Sequence, residues 1–376
     1  MRLAFVIEQM HPFGGRQRFL WRMVNALLAA GHPSRIYCQS WQVLPRDIAD
    51  VRLFPGRSVR RYRRSARFQQ AVLRDLAADP VDGVVGLTPM AGLDACFAVD
   101  SCFLERAQRE HSAWYRRGAA YRHFLASERR VFAPPSTSHV FLQGEAQGQV
   151  YLQSYGTEAS RMTVLPPAVA RDRCAGPDAA DRRGRTRESF ALDKRDIVLL
   201  SIGSLSSDNG LSRTLRSMKD LRDAVPNAET RLFVVGNERP GASARLARKL
   251  GIADAVYFLG PREDVPDLLL AADVLVHPAP FEAGGLVLLE AMAAGLPVLT
   301  TAAPVYASRV VAAGAGVVLR EPFSQRAMND ALGSFLRSEF RERCAQAGLA
   351  YAGAQDLYSG CERAVEQLVD RFGAGP

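Results

Sequence analysis

Residues 273–301 read DVLVHPAPFEAGGLVLLEAMAAGLPVLTT, and this stretch contains one complete copy of the pattern on which the fold depends. The β-rich run Asp273–His277 leads into a loop with a glycine pair, and the strongly apolar stretch Leu286–Ala294 follows with the length of a helix. The stretch ends in a second β-rich run, Pro297–Thr301. Two short apolar strands joined by a helix predict a βαβ unit, in which the strands lie parallel and are covered by helices.

The same alternation of strand and helix extends through most of the chain. Further strands are predicted at Leu3–Ile7, Ser34–Cys38, Gly83–Leu87, Ala95–Val99 and His139–Leu142 in the first half, and at Asp196–Gly203, Thr230–Gly236 and Ala255–Leu259 in the second. Helical patterns lie between them, and the longest runs from Phe103 to Phe132. We therefore predict an α/β protein with two doubly wound, Rossmann-like halves of similar size.

The pattern is interrupted between residues 164 and 188. Pro166-Pro167 is followed by a polar segment rich in Arg and Asp, which is typical of an interdomain linker and a surface loop. We place the domain boundary there, with one domain over residues 1–167 and a second over residues 168–356. A chain of 376 residues is long enough for two domains, each of roughly 150–200 residues.

Composition and charge exclude several classes of protein and indicate an anionic partner. With 48% apolar and 23% charged residues, the chain is not collagen-like, disordered or a disulfide-stapled scaffold. The net charge of +9 comes from one half, because residues up to 170 include 22 basic and 13 acidic side chains and the remainder has 26 of each. This asymmetry fits nucleic acid, an acidic membrane or a polyanionic substrate, and does not choose among them.

The cysteines and the N-terminal segment indicate a cellular compartment. Six cysteines are scattered without a CxxC pair or the spacing of metal ligands, as expected of buried thiols in a reducing compartment. The apolar run Leu3–Ile7 is too short for a signal peptide or a membrane span. We expect a cytoplasmic protein whose contact with a membrane, if it has one, is peripheral.

Two glycine-containing loops carry the first signals of function. Phe13-Gly14-Gly15 lies between the first strand and the first helix, where paired glycines let a phosphate or a sugar approach the backbone, although such a pair is also typical of a simple turn. In the second loop, Glu282 precedes Gly284-Gly285-Leu286 and Glu290 follows. A helix that begins near Gly285 would offer its free backbone N–H groups to a diphosphate.

The two glutamates of the second loop have two interpretations. Because carboxylates accept hydrogen bonds from hydroxyl groups, Glu282 and Glu290 could hold a hexose and a ribose on either side of a diphosphate. Alternatively, Glu290 satisfies buried backbone groups and Glu282 is a solvated loop charge. Their spacing alone does not decide between these interpretations.

Further motifs stand in order along nearly the whole chain. They are Pro12-Phe13-Gly14-Gly15-Arg16-Gln17-Arg18, Gly86–Asp94, Tyr121-Arg122-His123-Phe124, Leu165-Pro166-Pro167, Val276-His277-Pro278, Glu282–Glu290, Gly295–Thr301, Glu321–Gln325 and Gln355–Ser359. Together they resemble the retaining GT-B glycosyltransferases of family 4, and within these the lipopolysaccharide core glucosyltransferase I group. The resemblance implies two Rossmann-like domains that face a cleft, and a last helix, about Leu357 to Phe372, that crosses back so that residues 357–376 join the first domain.

The resemblance also implies a reaction and its partners. The donor would be a UDP-hexose of the glucose or galactosamine type, bound by the second domain. The acceptor would be a phosphorylated heptose of the lipopolysaccharide core, bound by the first domain, and neither a metal nor another cofactor would take part. The leaving diphosphate would accept the acceptor's proton on the same face of the sugar, so the protein would mainly orient the reactants and stabilise charge.

Site residues follow from the same resemblance, position by position. Glu282 would be the catalytic residue that contacts the donor hexose, and Glu290 would contact the ribose. The other residues expected to bind the donor are Gly14, Gly15, Arg173, Gly203, Gly284, Gly285 and Leu286.

At three places the chain departs from this family. A loop that normally ends in a basic pair and a glycine reads Ser206-Ser207-Asp208-Asn209-Gly210, Phe19 replaces an aspartate, and Ala168 replaces a glycine. Each lost charge-assisted phosphate contact costs about 1.5–3 kcal/mol. Arg213 is a candidate substitute for the lost cations, or else a solvated charge on a helix face. Two functions are therefore considered: an active transferase, and a weakened or inactive paralogue that binds core oligosaccharide or partner enzymes.

Two clusters of arginine account for the charge of the first half. One is the run Arg57, Arg60, Arg61, Arg63, Arg64 and Arg67. The other lies within Phe103–Phe132, where apolar residues recur at helical spacing beside Arg106, Arg109, Trp114, Tyr115, Arg116 and Arg117. A basic amphipathic helix of this kind is typical of a segment on an anionic membrane surface, here the inner face of the cytoplasmic membrane, and the matching region of the family interacts with membranes. An ordinary helix packed on a sheet has a similar stripe, and no nucleic-acid motif is present.

Overall fold

The chain forms two compact units. The structure, a computed structural model, describes residues 1–42, 48–56, 58–203, 210–226, 229–236, 240–282 and 284–373. The first unit consists of Met1–Pro167 together with Ser359–Pro376, and the second consists of Ala168–Tyr358.

The first unit alternates short strands with helices. Its described strands are β1 (Leu3–Val6), β2 (Gln9–Met10), β3 (Ser34–Cys38), β4 (Ser40–Trp41), β5 (Asp50–Leu53), β6 (Gly83–Gly86), β7 (Ala95–Phe97), β8 (His139–Leu142) and β9 (Met162–Val164). The helices among them are α1 (Gly15–Ala29), α2 (Arg61–Ala78), α3 (Phe103–Glu110), α4 (Ala119–Phe132) and α5 (Glu145–Tyr155). The main sheet has the order β5-β3-β1-β6-β7-β8-β9, and β2 pairs separately with β4.

Strand β1 lies inside this sheet and pairs in parallel on both sides. Leu3 is opposite Ser34 of β3 on one side and opposite Gly83 of β6 on the other. Every residue of β1 is buried, because a strand flanked by two others and covered on both faces has no exposed side. The strand order reverses between β1 and β6, and open α/β sheets bind ligands beyond the carboxyl ends of the strands at such a point.

The second unit repeats this plan. Its described strands are β10 (Ile197–Ile202), β11 (Thr230–Val235), β12 (Val256–Gly260), β13 (Val274–His277), β14 (Val298–Thr301) and β15 (Gly316–Leu319). Its described helices are α6 (Ala179–Ser189), α7 (Leu211–Ala224), α8 (Gly241–Lys249), α9 (Val265–Ala271), α10 (Leu286–Ala293), α11 (Ala307–Ala313), α12 (Gln325–Ser334) and α13 (Ser338–Ala354). The strands form a parallel sheet in the order β12-β11-β10-β13-β14-β15, which reverses between β10 and β13.

Apolar clusters cover both faces of this second sheet. Leu200 and Leu275 belong to one cluster, while their strand neighbours Leu199 and Val276 belong to the other. This division follows from the geometry of a strand, in which successive side chains point to opposite faces. The buried sheet leaves the carboxyl ends of β10 and β13 as the place where polar groups can collect.

The last helix, α14 (Gly360–Phe372), belongs to the first unit and packs on α1. At its start, the Gly360 N–H donates to the Pro167 carbonyl at 3.0 Å. At its end, Phe372 lies over Gly83, where an added Cβ would come within 2.7 Å of the Phe372 ring. The predicted α/β architecture of two Rossmann-like units, with a last helix that returns to the first, is confirmed.

The sequence patterns did not predict the two-residue strands β2 and β4. They also missed three strands of the main sheets, β5, β9 and β15, which all lie at sheet edges. An edge strand pairs on one side only, and these three keep partly exposed residues. Strand β5, for example, reads Asp-Val-Arg-Leu and has no continuous apolar run. The apolar pattern therefore misses edge strands that lack an apolar run, whereas the edge strand β12, which reads VYFLG, was predicted.

The predicted helical stretch from Phe103 to Phe132 is wrong in its continuity. Helix α3 ends at Glu110 and α4 begins at Ala119, with a short 3-10 turn, Tyr115–Arg117, between them. His111 and Gly118 are both in extended conformation. Because Gly118 lowers the stability of a helix interior, the chain breaks there despite the helical spacing of its apolar residues.

The predicted surface loop after Pro166-Pro167 is wrong for residues 179–188, which belong to α6. Arg183 on this helix donates to the carbonyls of Leu270 and Ala272, at 2.7 Å each. The polar composition therefore reflects arginines that satisfy backbone acceptors at the end of α9, rather than a solvated loop.

Candidate active site

The loop after β13 is fixed by the elements on both sides of it. Three successive carbonyl oxygens accept side-chain hydrogen bonds: that of His277 from Thr300 Oγ1 at 2.8 Å, that of Pro278 from Arg213 Nη1 at 3.1 Å, and that of Ala279 from Thr301 Oγ1 at 2.5 Å. Both threonines are fully buried at the end of β14. A loop held by three separate side chains presents its own side chains in a defined geometry.

Glycine is required where α7 begins against this loop. Gly210 precedes α7 with a φ of +69°, and an added Cβ would lie 2.0 Å from the Pro278 carbonyl oxygen. On the strand side, Gly203 follows β10 with a φ of 136°, and its N–H donates to the Val235 carbonyl at 3.0 Å. The substituted pair Asp208-Asn209 lies outside the described residues.

Arg213 contacts the loop and an aromatic ring. Besides its bond to Pro278, its guanidinium lies 3.7 Å from the centroid of the Phe323 ring. Burial lowers the pKa of Arg213, and the charge of Glu321 opposes this effect. These contacts are those of a residue that supports the β13 loop, and its contact with a diphosphate stays a prediction.

Glu282 is paired with a buried histidine. His277 is 2% exposed, and its Nε2 lies 2.5 Å from Glu282 Oε2. The Glu282 side chain is 27% exposed, so it reaches the surface of the unit. Burial alone would lower the pKa of His277, but the neighbouring carboxylate outweighs burial and the pKa is raised.

The glycine pair is at the start of α10, as the sequence predicts. Gly285 has a φ of +82°, and an added Cβ would come within 2.7 Å of Pro304 Cβ. The Gly284 carbonyl accepts a hydrogen bond from the Tyr306 N–H at 3.2 Å, and Leu286 is the first residue of the helix. The first turn of a helix presents backbone N–H groups without intrahelical acceptors, together with the positive end of the helix dipole.

Glu290 and Arg173 are buried together one turn deeper. They are 5% and 3% exposed, and Arg173 Nε lies 3.9 Å from Glu290 Oε1. Two guanidinium nitrogens of Arg173, Nε and Nη1, are buried without a hydrogen-bond partner among the described residues. Since unpaired buried donors are costly, Arg173 is suited to an acceptor that arrives with a ligand.

In the first unit, Gly14 and Gly15 lie where β1 leads into α1. Gly14 precedes the helix, and an added Cβ would lie 1.8 Å from Gln17 Oε1. Gln17 is 4% exposed, and its amide donates to the Gln9 carbonyl at 3.1 Å. The same amide nitrogen lies 3.2 Å from His11 Nε2. The glycines are thus at a helix start, and their contact with a donor stays a prediction.

Phe19, where the resembled family has an aspartate, lies in an aromatic group. Its ring meets the Phe97 ring edge-on, with 5.4 Å between centroids. Phe97 in turn stacks on Phe141 at 4.7 Å. The phenylalanine therefore extends the apolar packing of the first unit at this position.

The arginines of α3 are neutralised within the helix. Arg106 lies 3.4 Å from Glu110, and Arg109 lies 2.8 Å from Glu105. Each pair is spaced four residues apart, which brings the two charges to the same face of the helix. The charge that we expected α3 to present to a membrane is thus largely balanced.

The turn before α4 keeps its positive charge and exposes an aromatic residue. Trp114 is 84% exposed, whereas the Tyr115 ring packs at a tilt against the His111 ring, with 3.9 Å between their centroids. Arg116 and Arg117 form no ion pair with any described residue. Of the residues that we expected to face a membrane, Arg116, Arg117 and Trp114 are therefore those whose charge or aromatic ring is not balanced or packed within the described residues.

The sequence patterns missed the residues that support the loop after β13. Thr300 and Thr301 were predicted only as the end of the strand Pro297–Thr301, and Gly210 only as the last residue of a loop. Two adjacent hydroxyl residues at a strand's carboxyl end were the available signal. Over the described ranges, no cluster of three or more His, Cys, Asp or Glu is placed to hold a metal ion, and no described helix is long and apolar enough to cross a membrane.

Comparisons with known proteins agree with this architecture. Residues 182–350, which lie inside the second unit, match the family described as glycosyl transferases group 1. Over 367 residues the chain is 36% identical to the lipopolysaccharide glucosyltransferase WaaG of Escherichia coli (strain K12), which covers 97% of this chain and 98% of the relative. The chain belongs to the group 1 glycosyltransferases.

Solved structures give the same result for this group 1 glycosyltransferase. The crystal structure of WaaG, a glycosyltransferase involved in lipopolysaccharide biosynthesis, superposes with a TM-score of 0.94 and 36% identity over 99% of this chain and 100% of that one. Sucrose-phosphate synthase from Thermosynechococcus elongatus shares the fold, with a TM-score of 0.78 and 17% identity over 99% of both chains. The predictions of a GT-B, WaaG-like fold and of a glycosyltransferase enzyme are confirmed.

Proposed function

We propose that this group 1 glycosyltransferase moves a hexose of the glucose or galactosamine type from a UDP-sugar to a heptose of the lipopolysaccharide inner core. The transfer retains the configuration of the sugar and uses no metal. The observation that supports it most is the 36% identity to the lipopolysaccharide glucosyltransferase WaaG over 97% of the chain. Because the similarity spans both units, it supports the acceptor as well as the donor.

The second unit offers groups whose chemistry suits a UDP-hexose. A diphosphate would accept hydrogen bonds from the first turn of α10, after Gly284-Gly285, and from Arg173, whose Nε and Nη1 lack hydrogen-bond partners among the described residues. Glu290, buried beside Arg173, would accept from the ribose hydroxyls. Glu282, more exposed and at the mouth of the helix, would accept from a hydroxyl of the hexose.

Transfer in this proposal depends on orientation and charge rather than on a protein base. As the bond between the anomeric carbon and the diphosphate lengthens, positive charge develops on the sugar, and the Glu282 carboxylate would stabilise it. The diphosphate oxygen that leaves would take the proton of the acceptor hydroxyl on the same face. The helix N-terminus and Arg173 would stabilise the negative charge that develops on the diphosphate.

The first unit would bring the enzyme to its acceptor. A phosphorylated, lipid-linked heptose lies at a membrane surface, and the excess of basic residues lies in the first half of the chain. Trp114, Arg116 and Arg117 form an exposed aromatic and cationic turn of the kind that binds anionic lipid at an interface. We propose peripheral attachment to the inner face of the cytoplasmic membrane through this turn.

A specific sequence feature favours a second candidate function. Asp208-Asn209 stands where the resembled family has a basic pair, so the donor site loses positive charge. The chain would then be a weakened or inactive paralogue that binds core oligosaccharide or partner enzymes through its first unit.

Calorimetric titration distinguishes the two candidates. The folded protein is titrated with UDP-glucose, UDP-galactosamine-type donors and UDP, and we expect saturable binding of at least one UDP-hexose below millimolar concentration. The absence of any donor binding at millimolar concentration, with thermal unfolding still cooperative, would refute the transferase proposal and leave the paralogue.

Replacing one carboxylate tests the site itself. Glu282→Gln keeps the shape and removes the charge, so we expect transfer to a core acceptor to fall at least a hundredfold while the unfolding midpoint in urea stays nearly unchanged. Transfer is measured by release of UDP in the presence of acceptor. Turnover equal to wild type in this variant contradicts the role proposed for Glu282.

A further inference from the structure

A buried histidine stands directly behind the carboxylate proposed to contact the hexose. His277 is 2% exposed, and its Nε2 lies 2.5 Å from Glu282 Oε2. Its other ring nitrogen, Nδ1, is buried and has no partner in the part of the chain that the structure describes. Glu282 is therefore the one hydrogen-bond partner of this ring within those residues.

This arrangement is costly for the fold. The residues before His277 in β13 are the buried Val274, Leu275 and Val276, and an apolar side chain would continue that run without an unsatisfied nitrogen. A buried polar ring with one unpaired nitrogen loses the hydrogen bonds that water would give it. Compared with an apolar residue at this position, the imidazole of His277 provides one additional interaction, the hydrogen bond with Glu282.

Glu282 needs a support of this kind. Its side chain is 27% exposed and has three rotatable bonds, so without a partner the carboxylate would sample several positions. The backbone on which His277 stands is fixed, because the carbonyls of residues 277 to 279 accept hydrogen bonds from Thr300, Arg213 and Thr301. The hydrogen bond with His277 thus ties the Glu282 carboxylate to a part of the sheet whose backbone is fixed.

The geometry leaves one carboxylate oxygen available. Oε2 contacts His277, and it also lies 3.5 Å from the position that a Cβ on Gly285 would occupy, beside the N-terminus of α10. Oε1 has no hydrogen bond with any described residue. The two oxygens of Glu282 are therefore not equivalent.

We infer that His277 is the positioning residue of the transfer site. It holds Oε2 of Glu282 by a hydrogen bond, so that Oε1 accepts a hydrogen bond from a hydroxyl of the donor hexose. This inference rests on the proposed function, from which the hexose contact of Glu282 comes. His277 does not itself touch the donor. It lowers the entropy that the carboxylate loses on binding, and so raises the affinity for the hexose part of the donor.

The contact between the two side chains is tested without any ligand. With histidine labelled in ¹⁵N, the ring of His277 is titrated by NMR in the wild type and in Glu282→Gln, and assigned by its loss in His277→Gln. Because the carboxylate raises the pKa of His277, we expect the pKa to fall when the carboxylate is removed. An unchanged titration overturns the inference, whatever the protein transfers.

The positioning role is tested by a double-mutant cycle in donor binding. The quantity is the ratio of the Kd for UDP to the Kd for the UDP-hexose, which reports the hexose contribution alone. We expect His277→Leu and Glu282→Gln each to reduce this ratio at least fivefold, and the double variant to reduce it no further than Glu282→Gln. We expect His277→Gln to keep most of the wild-type Kd ratio, because the amide N–H of glutamine would reach Oε2 of Glu282.

Controls separate this role from a structural one. His139→Leu makes the same change at a buried histidine of the first unit and should leave the ratio unaltered. The inference is overturned if His277→Leu reduces the Kd ratio by the same factor in the wild type and in Glu282→Gln. It is also overturned if His277→Gln loses the ratio although that variant unfolds like the wild type. Failure of the wild type to bind any UDP-hexose instead refutes the proposed function and the hexose part of the inference, and the NMR titration still decides whether Glu282 is held by His277.

Discussion

Two buried arginines of the second unit show how similar residues serve different purposes. Arg187, 9% exposed, donates to the carbonyls of Ala271, Asp193 and Asp196 at 3.1, 2.7 and 2.8 Å. Arg173 is 3% exposed, yet its Nε and Nη1 have no hydrogen-bond partner in the described ranges, and its nearest carboxylates, Asp172 and Glu290, lie 3.8 and 3.9 Å away. The hydrogen-bond donors of Arg187 are thus satisfied by backbone carbonyls of the same unit, whereas two donors of Arg173 are available to a ligand.

This contrast predicts that the same substitution lowers mainly UDP affinity at Arg173 and mainly stability at Arg187. We expect Arg173→Met to lower the free energy of unfolding by less than Arg187→Met does, because Nε and Nη1 of Arg173 make no hydrogen bond with a described residue, although the variant also removes the ion pair with Glu290 at 3.9 Å. The same change should weaken UDP binding at least tenfold. Arg187→Met should cost about 3–5 kcal/mol by leaving several buried acceptors unpaired, with UDP affinity retained in the folded fraction. Urea denaturation and calorimetry measure the two quantities, and equal destabilisation by both variants contradicts the assignment of Arg173 to a ligand.

At the scale of elements, a close approach between α7 and the loop after β13 depends on one glycine. Gly210 has a φ of +69°, and Gly314, at the end of α11, has a φ of +68°. An added Cβ would lie 2.0 Å from the Pro278 carbonyl oxygen at Gly210, and would meet nothing within 4 Å at Gly314. The two positions share a left-handed backbone and differ only in crowding.

Alanine at these two glycines separates the two effects. Gly314→Ala should cost about 1 kcal/mol, because alanine is strained in the left-handed region. Gly210→Ala should cost about 1–3 kcal/mol more, because the methyl group meets backbone, and it should also weaken UDP-hexose binding by displacing the loop that carries Glu282. Urea unfolding measures the difference. Equal costs at the two positions would show that the approach of α7 to Pro278 is not a constraint.

A buried carboxylate joins two helices of the first unit. Glu128 on α4 accepts hydrogen bonds from the backbone N–H groups of Phe103 at 2.6 Å and Leu104 at 3.2 Å, so it caps the start of α3. The hydroxyl of Tyr155 also donates to it. Burial raises the pKa of Glu128 above its ordinary value of 4.5, although these hydrogen bonds oppose the shift.

The pKa of Glu128 predicts a pH dependence of stability. A carboxyl whose pKa is raised on folding binds its proton more tightly in the folded state, so its contribution is greatest at low pH and is lost as pH rises through the folded pKa. We expect the stability of the wild type relative to Glu128→Gln to fall as pH rises above the ordinary carboxyl pKa of 4.5, as measured by urea unfolding at each pH. A difference that stays constant or grows with pH contradicts the burial of an ionisable carboxyl at this cap.

At the scale of the whole molecule, the charge is divided between the two halves of the chain. Residues up to 170 hold the whole excess of basic side chains, and the remainder is balanced. Within the first half, Arg106 and Arg109 are paired by glutamates of α3, whereas Arg116 and Arg117 have no ion pair with a described residue. The turn beside Trp114 is thus one part of the first half whose positive charge is not balanced by a described carboxylate.

Vesicle flotation tests whether this charge serves the proposed membrane contact. We expect the protein to float with vesicles that contain anionic lipid, and flotation to fall as salt rises. Replacing Arg116 and Arg117 with glutamine should reduce it severalfold. The same replacement at Arg245 and Arg248, exposed on α8 of the second unit, changes the net charge equally and should have little effect. Flotation that is absent, insensitive to salt or equally reduced by both pairs contradicts attachment through this turn.

Much of this protein was determined by its sequence alone. The interior strands Ser34–Cys38 and His139–Leu142 were predicted at their observed bounds because each is a short β-rich run between helical patterns. The start of α10 at Gly285-Leu286 was predicted because a glycine pair before an apolar run is a local signal. The family could be predicted as well, because its motifs are local in sequence and stand in the same order along nearly the whole chain.

Tertiary structure alone decided the features that depend on distant neighbours. The edge strand Asp50–Leu53 has no apolar pattern because it pairs on one side only. The pairing of His277 with Glu282, and the two unpaired nitrogens of Arg173 beside Glu290, depend on which groups the fold buries together. Local spacing determines secondary structure, but the cost of burying a polar group is set by its surroundings, and those surroundings come from parts of the chain that are far apart in sequence.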